Sequence, residues 1–466
     1  MPASDADAGY VSGAHSALPR AGTPVRENRP TGMTRETSLP SLCCAIDFGT
    51  SNSAVARALA RPGGGPTHIE LAPLEGEATG MPTAVFYNAE DGTRAFGRAA
   101  IAAYVDGHEG RLMRSIKSIL GSDLMDEATE LPNGQQVRYL DVVIAYLRHL
   151  KQRSEAHWAS PIQRVVIGRP VFFVDDDPKR DAKAEETLRR AARAAGFGEV
   201  QFQFEPIAAA LDYESRLRPD DGEHRVLVAD IGGGTSDFSI VRASAAAHSA
   251  VDRRADVLAS HGVHLAGTDF DRALNLAAIM PRLGYGGDGP GGRPVPSRIY
   301  FDLATWHLIN TTYTRNRLAE LRVMRSMYND QVAHARLMRV LEEHRGHDLA
   351  ARAEEAKIEV SNSGHAEIEL GFVERGLKQP LSEDAQAAAL AEGIGRIVRA
   401  AVETVRLAQL PVAGIDAIYF TGGSTGLRPL VAQLAAAFPA ARPVMGDRYS
   451  SVVSGLAITA RRRFGS

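Results

Sequence analysis

Cysteine is almost missing from this chain. Only Cys43 and Cys44 occur in 466 residues, side by side. That excludes a disulfide framework and fits a reducing compartment such as the cytoplasm. Long apolar runs are missing too, and no stretch approaches the roughly 20 residues of a membrane-spanning helix. Charge of one sign is not in excess: the formal net charge is −3. This removes the electrostatic case for nucleic acid or an anionic membrane as the main partner. The histidines carry no zinc pattern. His261 and His264 flank Gly262-Val263 with no Cys or carboxylate at ligand spacing, so no metal is assigned to them. Residues 1–41 lack apolar periodicity, and Pro19, Pro24, Pro30 and Pro40 are scattered through them. They read as a disordered tail. The tail has no apolar core of a secretory signal, and Asp5, Asp7, Glu27 and Glu36 do not suit a transit peptide.

What is present is an ordinary globular composition, 44% apolar and 23% charged, at a length that suggests roughly two to four domains. One motif occurs twice. Ala45-Ile46-Asp47-Phe48-Gly49-Thr50-Ser51-Asn52 is the first copy, and Ala229-Asp230-Ile231-Gly232-Gly233-Gly234-Thr235-Ser236-Asp237 the second. Each reads as strand, tight turn, strand. Glycines let backbone N–H groups close around an anion, and the hydroxyls add donors. Asp47 and Asp230 sit where a metal riding on phosphate oxygens needs a hard oxygen ligand or an anchor for its waters. A carboxylate ending an apolar strand is costly unless a cation or several donors offset its burial. Two facing copies would grip one triphosphate from both sides.

The remaining segments alternate strand and helix. Residues 42–58 and 225–241 read as apolar hairpins, and 68–71, 83–87, 165–168, 201–204 and 415–420 as strands. Residues 139–158 show helical spacing. The next helix is punctuated by Asp177 as cap, Pro178 at its first position and Gly196 as its stop. Helices are also expected over 207–217, 385–410 and 452–462, and an insertion over 268–380 is expected to open and close with helix. This pattern implies an α/β fold with a largely parallel or mixed sheet covered on both faces, present twice.

Four further features admit two readings each. Gly422-Gly423-Ser424 is a strand–helix corner or a close backbone approach to a nucleotide. Glu205 either caps the helix after Pro206 or reaches a metal's water shell. Lys117, near Arg111 and Arg114, belongs by default to a solvated basic face. Asp175-Asp176-Asp177 is better read as helix capping in a wet loop than as a metal cluster.

Together these residues resemble the actin-like ATPases, and within them the heat-shock 70 (DnaK-type) chaperone family. The two hairpin motifs look like its phosphate motifs, and Thr421-Gly422-Gly423-Ser424 like its adenosine motif. Glu205-Pro206-Ile207-Ala208-Ala209-Ala210, Leu265-Ala266-Gly267-Thr268-Asp269-Phe270-Asp271, Glu354-Glu355-Ala356-Lys357 and Lys117-Ser118-Ile119-Leu120-Gly121 resemble further motifs of that family. The short YegD type is the nearest in form, sharing Val166-Ile167-Gly168-Arg169-Pro170 and Leu211-Asp212-Tyr213-Glu214. The resemblance covers about residues 42–466. It implies a duplicated ribonuclease H-like, two-lobed fold, each lobe a mixed sheet flanked by helices with an inserted subdomain. Lobes are expected at 42–223 (insertion about 76–138) and 224–448 (insertion about 268–380), with a closing helix at 449–466 returning to the first lobe.

The resemblance also implies roles and ligands: ATP or ADP with Mg2+. Asp47 and Asp230 would hold the magnesium's waters. Gly49, Thr50, Ser51 and Asn52 would contact phosphates from the first lobe, and Gly232, Gly233, Gly234 and Thr235 from the second. Lys117, Glu205, Thr235 and Asp237 would surround the γ-phosphate and the attacking water. Pro170 would relay nucleotide state between lobes. Glu354, Lys357 and Ser361 would face the adenosine, with Gly422, Gly423 and Ser424 opposite. Three positions depart from the family pattern. Ile358 stands where an arginine usually stacks on adenine, Gly426 replaces a second arginine, and Tyr449 replaces an aspartate near the ribose, so cation–π support from the usual positions is gone. No peptide-binding domain is expected after the closing helix, so ATP-gated peptide capture is not among the expectations. The expectation is a slow Mg-dependent ATPase of chaperone type whose lobe closure a protein partner reads. Alternatives are a nucleotide-dependent switch without turnover and an actin-fold small-molecule kinase.

Overall fold

The computed structural model describes residues 42–60, 67–174, 177–250, 252–448 and 450–465. The expected tail, Asp175, Asp176 and Tyr449 lie outside the described residues.

Two five-strand paths share one topology. In the first sheet the order is Glu199–Phe204, Ile162–Arg169, Leu42–Phe48, Asn52–Leu59, His68–Leu71. In the second it is Arg442–Met445, Ala417–Thr421, His224–Ile231, Ser236–Ala243, Val257–Val263. In both, the strand carrying the motif aspartate pairs antiparallel with its hairpin mate and parallel with a later strand. Each sheet is therefore mixed, and the fold is the duplicated α/β architecture of the actin-like ATPases. The central strands are apolar throughout because both faces are covered: Val165, Val166 and Ile167 have no exposed surface, and neither does Ala229.

Helices Tyr139–Trp158 and Pro178–Ala194 cover one face of the first sheet. Asp177 caps the second of these by accepting from Arg180 N at 3.0 Å, Pro178 occupies its first turn, and Gly196 follows it at φ +105°. Helices Glu205–Glu214 and Ser451–Phe464 pack together between the sheets. Their core joins Ala45 and Val166 of the first sheet to Val228 and Tyr419 of the second through Ile207 and Leu456. Helices Glu383–Leu407 and Arg428–Ala437 close the outer face of the second sheet.

Two segments project from this frame. One holds the sheet Arg94–Phe96, Ala84–Asn88, Gly110–Arg114 and the helix Gly97–Val105. The other is mainly helical with its own core, from Leu274 to Leu381, and includes the helix Gly346–Ser363 and the hairpin His365–Glu369 with Lys378–Ser382. That hairpin, and the helices Gly97–Val105 and Arg428–Ala437, answer to no expectation from the sequence.

Candidate functional site

The two hairpin turns meet. In the first, Thr83 pins the chain by donating its N–H to Ser51 O and its hydroxyl to Gly49 O, each at 2.8 Å. A Cβ on Gly49 would collide with the carbonyl of Asn52, so glycine is required for the turn to close. In the second, Gly232 N donates to Thr235 O at 3.0 Å, and the following segment backs the turn through Gly267 N to Gly232 O and Thr268 N to Gly233 O. A Cβ on Gly233 would lie 2.6 Å from Ser51 Oγ. Backbone of one turn thus faces hydroxyl of the other across the cleft.

Acidic side chains gather beside the turns. Asp230 lies directly across the second hairpin from Asp237. Glu205 opens the helix Glu205–Glu214, but its side chain caps nothing there. It accepts from Lys117 Nζ at 2.7 Å. Gly168 leaves room for it: a Cβ there would lie 3.2 Å from Glu205 Oε1. Lys117 is not on a solvated face, its side chain being only 10% exposed. It sits in a 3-10 turn, Ile116–Ile119, entered through Ser115 at φ +57°, a left-handed conformation rare for serine. Pro170 lines the same cavity as Glu205, Asp230, Asp237, His261 and Thr421. Its carbonyl accepts from Arg169 Nε at 2.9 Å, and Arg169 is itself held by Asp181 and Glu185.

The electrostatics follow from too many carboxylates for one ammonium. Burial, then Glu205, pushes Asp47 up to about 7, with Lys117 opposing. Burial, then Asp237, Glu205 and Asp47, holds Asp230 well above the ordinary carboxylate range. For Lys117, burial acts to lower the pKa, but Glu205, Asp47 and Asp237 together outweigh it and the net shift is upward. A divalent cation would relieve this excess of negative charge, so the residues present fit one. Among the described residues no group of three or more His, Cys, Asp or Glu side chains is arranged to ligate a metal directly.

Against the second turn lies the third glycine turn, Gly423–Gly426, which follows Gly422 at φ +88°. Ser424 Oγ donates to Gly232 O at 2.6 Å, so its hydroxyl fastens the second turn rather than standing free. Along the helix Gly346–Ser363, Glu354 and Ile358 are exposed. Lys357 is committed to Asp271 at 2.6 Å, and Ser361 Oγ turns back to Lys357 O at 2.9 Å. Burial lifts Asp271 to about 6 against the pull of Lys357.

One cluster in the cleft has no signature in the sequence. Tyr104 stacks on Trp306 with ring centroids 5.2 Å apart, and the Arg114 guanidinium lies 4.4 Å over the same indole. His347 meets both rings edge-on and donates from Nε2 to Asn310 Oδ1 at 3.1 Å. Tyr104 and Arg114 belong to the first projecting segment, Trp306 and His347 to the second. The two segments therefore touch across the cleft mouth.

Residues 43–279 match the family described as Hsp70 protein. The chain belongs to the Hsp70 family. Over 233 residues it is 31% identical to the chaperone protein DnaK of Elusimicrobium minutum (strain Pei191), covering 49% of this chain and 33% of that protein. Over 260 residues it is 32% identical to the chaperone protein HscA homolog of Azoarcus sp. (strain BH72), covering 52% of this chain and 38% of that one. The chain thus matches 33% and 38% of the length of these two curated relatives.

Proposed function

We propose that this Hsp70-family chain binds ATP with Mg2+ in the cleft, hydrolyses it slowly, and changes lobe closure with nucleotide state. One observation carries this reading: two glycine turns face each other beside Asp47 and Asp230, with the Lys117–Glu205 pair at the same place. Gly232 closes its turn through Thr235 O, and backbone N–H groups of Gly49, Gly233 and Gly234, with the hydroxyls of Thr50, Ser51 and Thr235 and the amide of Asn52, bind the phosphates. Asp47 and Asp230 hold the water shell of the cation. Bound magnesium supplies charge neutralisation on the phosphate oxygens. Lys117 stabilises negative charge developing on the γ-phosphate, Glu205 fixes Lys117, and Thr235 and Asp237 position the attacking water. Such a site works by placement and electrostatics rather than covalent chemistry. Glu354, Lys357, Ser361, Gly422, Gly423 and Ser424 border the nucleoside, and Pro170 couples the γ-phosphate side to the lobe interface.

The motif forms favour a short YegD-like member whose state is read by a separate protein. Two buried cysteines and no disulfide framework fit a cytoplasmic setting, and no helix among the described residues is long and apolar enough to cross a membrane. Calorimetric titration with MgATP and phosphate release on the same protein test the reading. Lys117→Ala and Thr235→Ala are expected to abolish release while sparing binding. Unchanged release in both would remove the assigned roles.

A further inference from the structure

Gly426 leaves a gap, and a side chain from another segment fills it. A Cβ on Gly426 would lie 2.8 Å from Nη1, 3.1 Å from Cζ and 3.5 Å from Nη2 of Arg448. The guanidinium therefore rests against the backbone of the third glycine turn, where a side chain at 426 would begin. Any larger residue there would displace it. Arg448 reaches this place from beyond the edge strand Arg442–Met445. Among the described residues it has no ion-pair partner, and it is exposed, so its cation is not committed elsewhere.

Two contacts locate this guanidinium relative to the cleft. Ser424, in the same turn, donates to Gly232 O of the second hairpin turn. Arg428, two residues past Gly426, donates to the carbonyls of Ser361 and Asn362 at the end of the helix Gly346–Ser363. The turn is thus tied to the phosphate side at one point and to that helix at another. Ile358 lies three residues before Ser361, on the same face of the helix, and is 51% exposed. The turn that seats the exposed Arg448 guanidinium is therefore fastened to the helix that carries the exposed, apolar Ile358. A flat aromatic ring is the chemistry that uses both. It packs on the aliphatic side chain and takes the planar cation on its π-face.

We propose that Arg448 is a base-recognition residue of this chain: its guanidinium stacks on the purine of the bound nucleotide opposite Ile358, and Gly426 is the opening that admits it. This rests on the nucleotide reading above. It moves cation–π support for the base from the glycine turn to a residue beyond the next helix and strand. Lysine replaces it only in part, because an ammonium keeps the charge but has no planar face to stack.

The test is titration of wild type, Arg448→Ala and Arg448→Lys with MgATP and, separately, with magnesium and inorganic triphosphate. Arg448→Ala is expected to weaken MgATP about tenfold and leave triphosphate binding unchanged, with Arg448→Lys recovering less than half of the loss. MgATP affinity equal to wild type in Arg448→Ala would overturn the proposal while leaving the nucleotide site intact. An equal loss for both probes would also overturn it, since Arg448 would then act on phosphate or on the fold. Wild type that binds neither probe would remove the nucleotide reading and the proposal with it.

Discussion

Asp230 faces Asp237 across the second hairpin, whereas the matching position opposite Asp47 in the first hairpin is Ala54. The duplicated fold is therefore not duplicated in charge. The second lobe brings two carboxylates to the cleft on adjacent strands, and the first brings one on its hairpin and a second, Glu205, from a helix start. Asp237 is the leading charge that raises Asp230 after burial itself. Asp237→Asn removes that repulsion. Without nucleotide, the variant is expected to melt a few degrees above wild type at pH 7, while its phosphate release falls. Differential scanning calorimetry and a release assay on one preparation check both halves.

Lys117 is hydrogen-bonded to Glu205 of this acidic group at 2.7 Å and is only 10% exposed. Removing one partner of such a pair strands the other. Lys117→Ala is expected to cost about 3 kcal/mol of stability, and Lys117→Ala with Glu205→Gln less than the sum of the single losses. Urea unfolding of the four proteins gives the coupling directly. Additive losses would mean that the pair contributes nothing beyond its separate parts.

Trp306 carries the contact across the cleft mouth, with Tyr104 on its ring face and Arg114 above it. Trp306→Ala removes an aromatic stack and a cation–π contact together. Bound ADP is expected to leave the variant about tenfold faster, read by stopped-flow release of a fluorescent ADP analogue. Unchanged release would show that the contact does not hold the cleft shut.

His347 gives that contact a pH dependence. Burial lowers its pKa from an ordinary 6.5 to about 4, with Asp348 opposing and Arg114 reinforcing. A depressed folded value means the folded state binds fewer protons than the unfolded chain. The stability His347 contributes is therefore fully present above pH 6.5 and is lost as pH falls from there towards 4. Urea unfolding at pH 7.5 and pH 5 is expected to show a larger loss for wild type than for His347→Asn. Equal losses would exclude His347 as the titrating group.

Much of the frame was legible in the sequence because local rules decided it. The aspartate–glycine turns after apolar strands, and the helix set between Asp177 and Gly196, need no distant partner to be read. What distant partners decide was not legible. Lys117 sits in a locally basic stretch, and nothing nearby announces Glu205, 88 residues on. Glu205 stands where helix caps occur, yet its side chain turns to Lys117. Lys357 was expected to face the nucleoside, and its pairing with Asp271 depends on how two helices cross. The strand Arg442–Met445 is mostly exposed, and the helix Arg428–Ala437 buries only Leu430 and Leu434, so neither leaves a clear period. Tyr104 and His347 come from separate helices and Trp306 from a turn, with no shared motif.

Steady-state phosphate release from the purified chain with ATP and Mg2+, beside an Asp230→Ala control, tests the central claim most directly. Slow release that the control lacks is the expected result. Release equal in both proteins, or absent from wild type while ATP stays bound, would contradict an ATPase built on Asp230 and the Lys117–Glu205 pair.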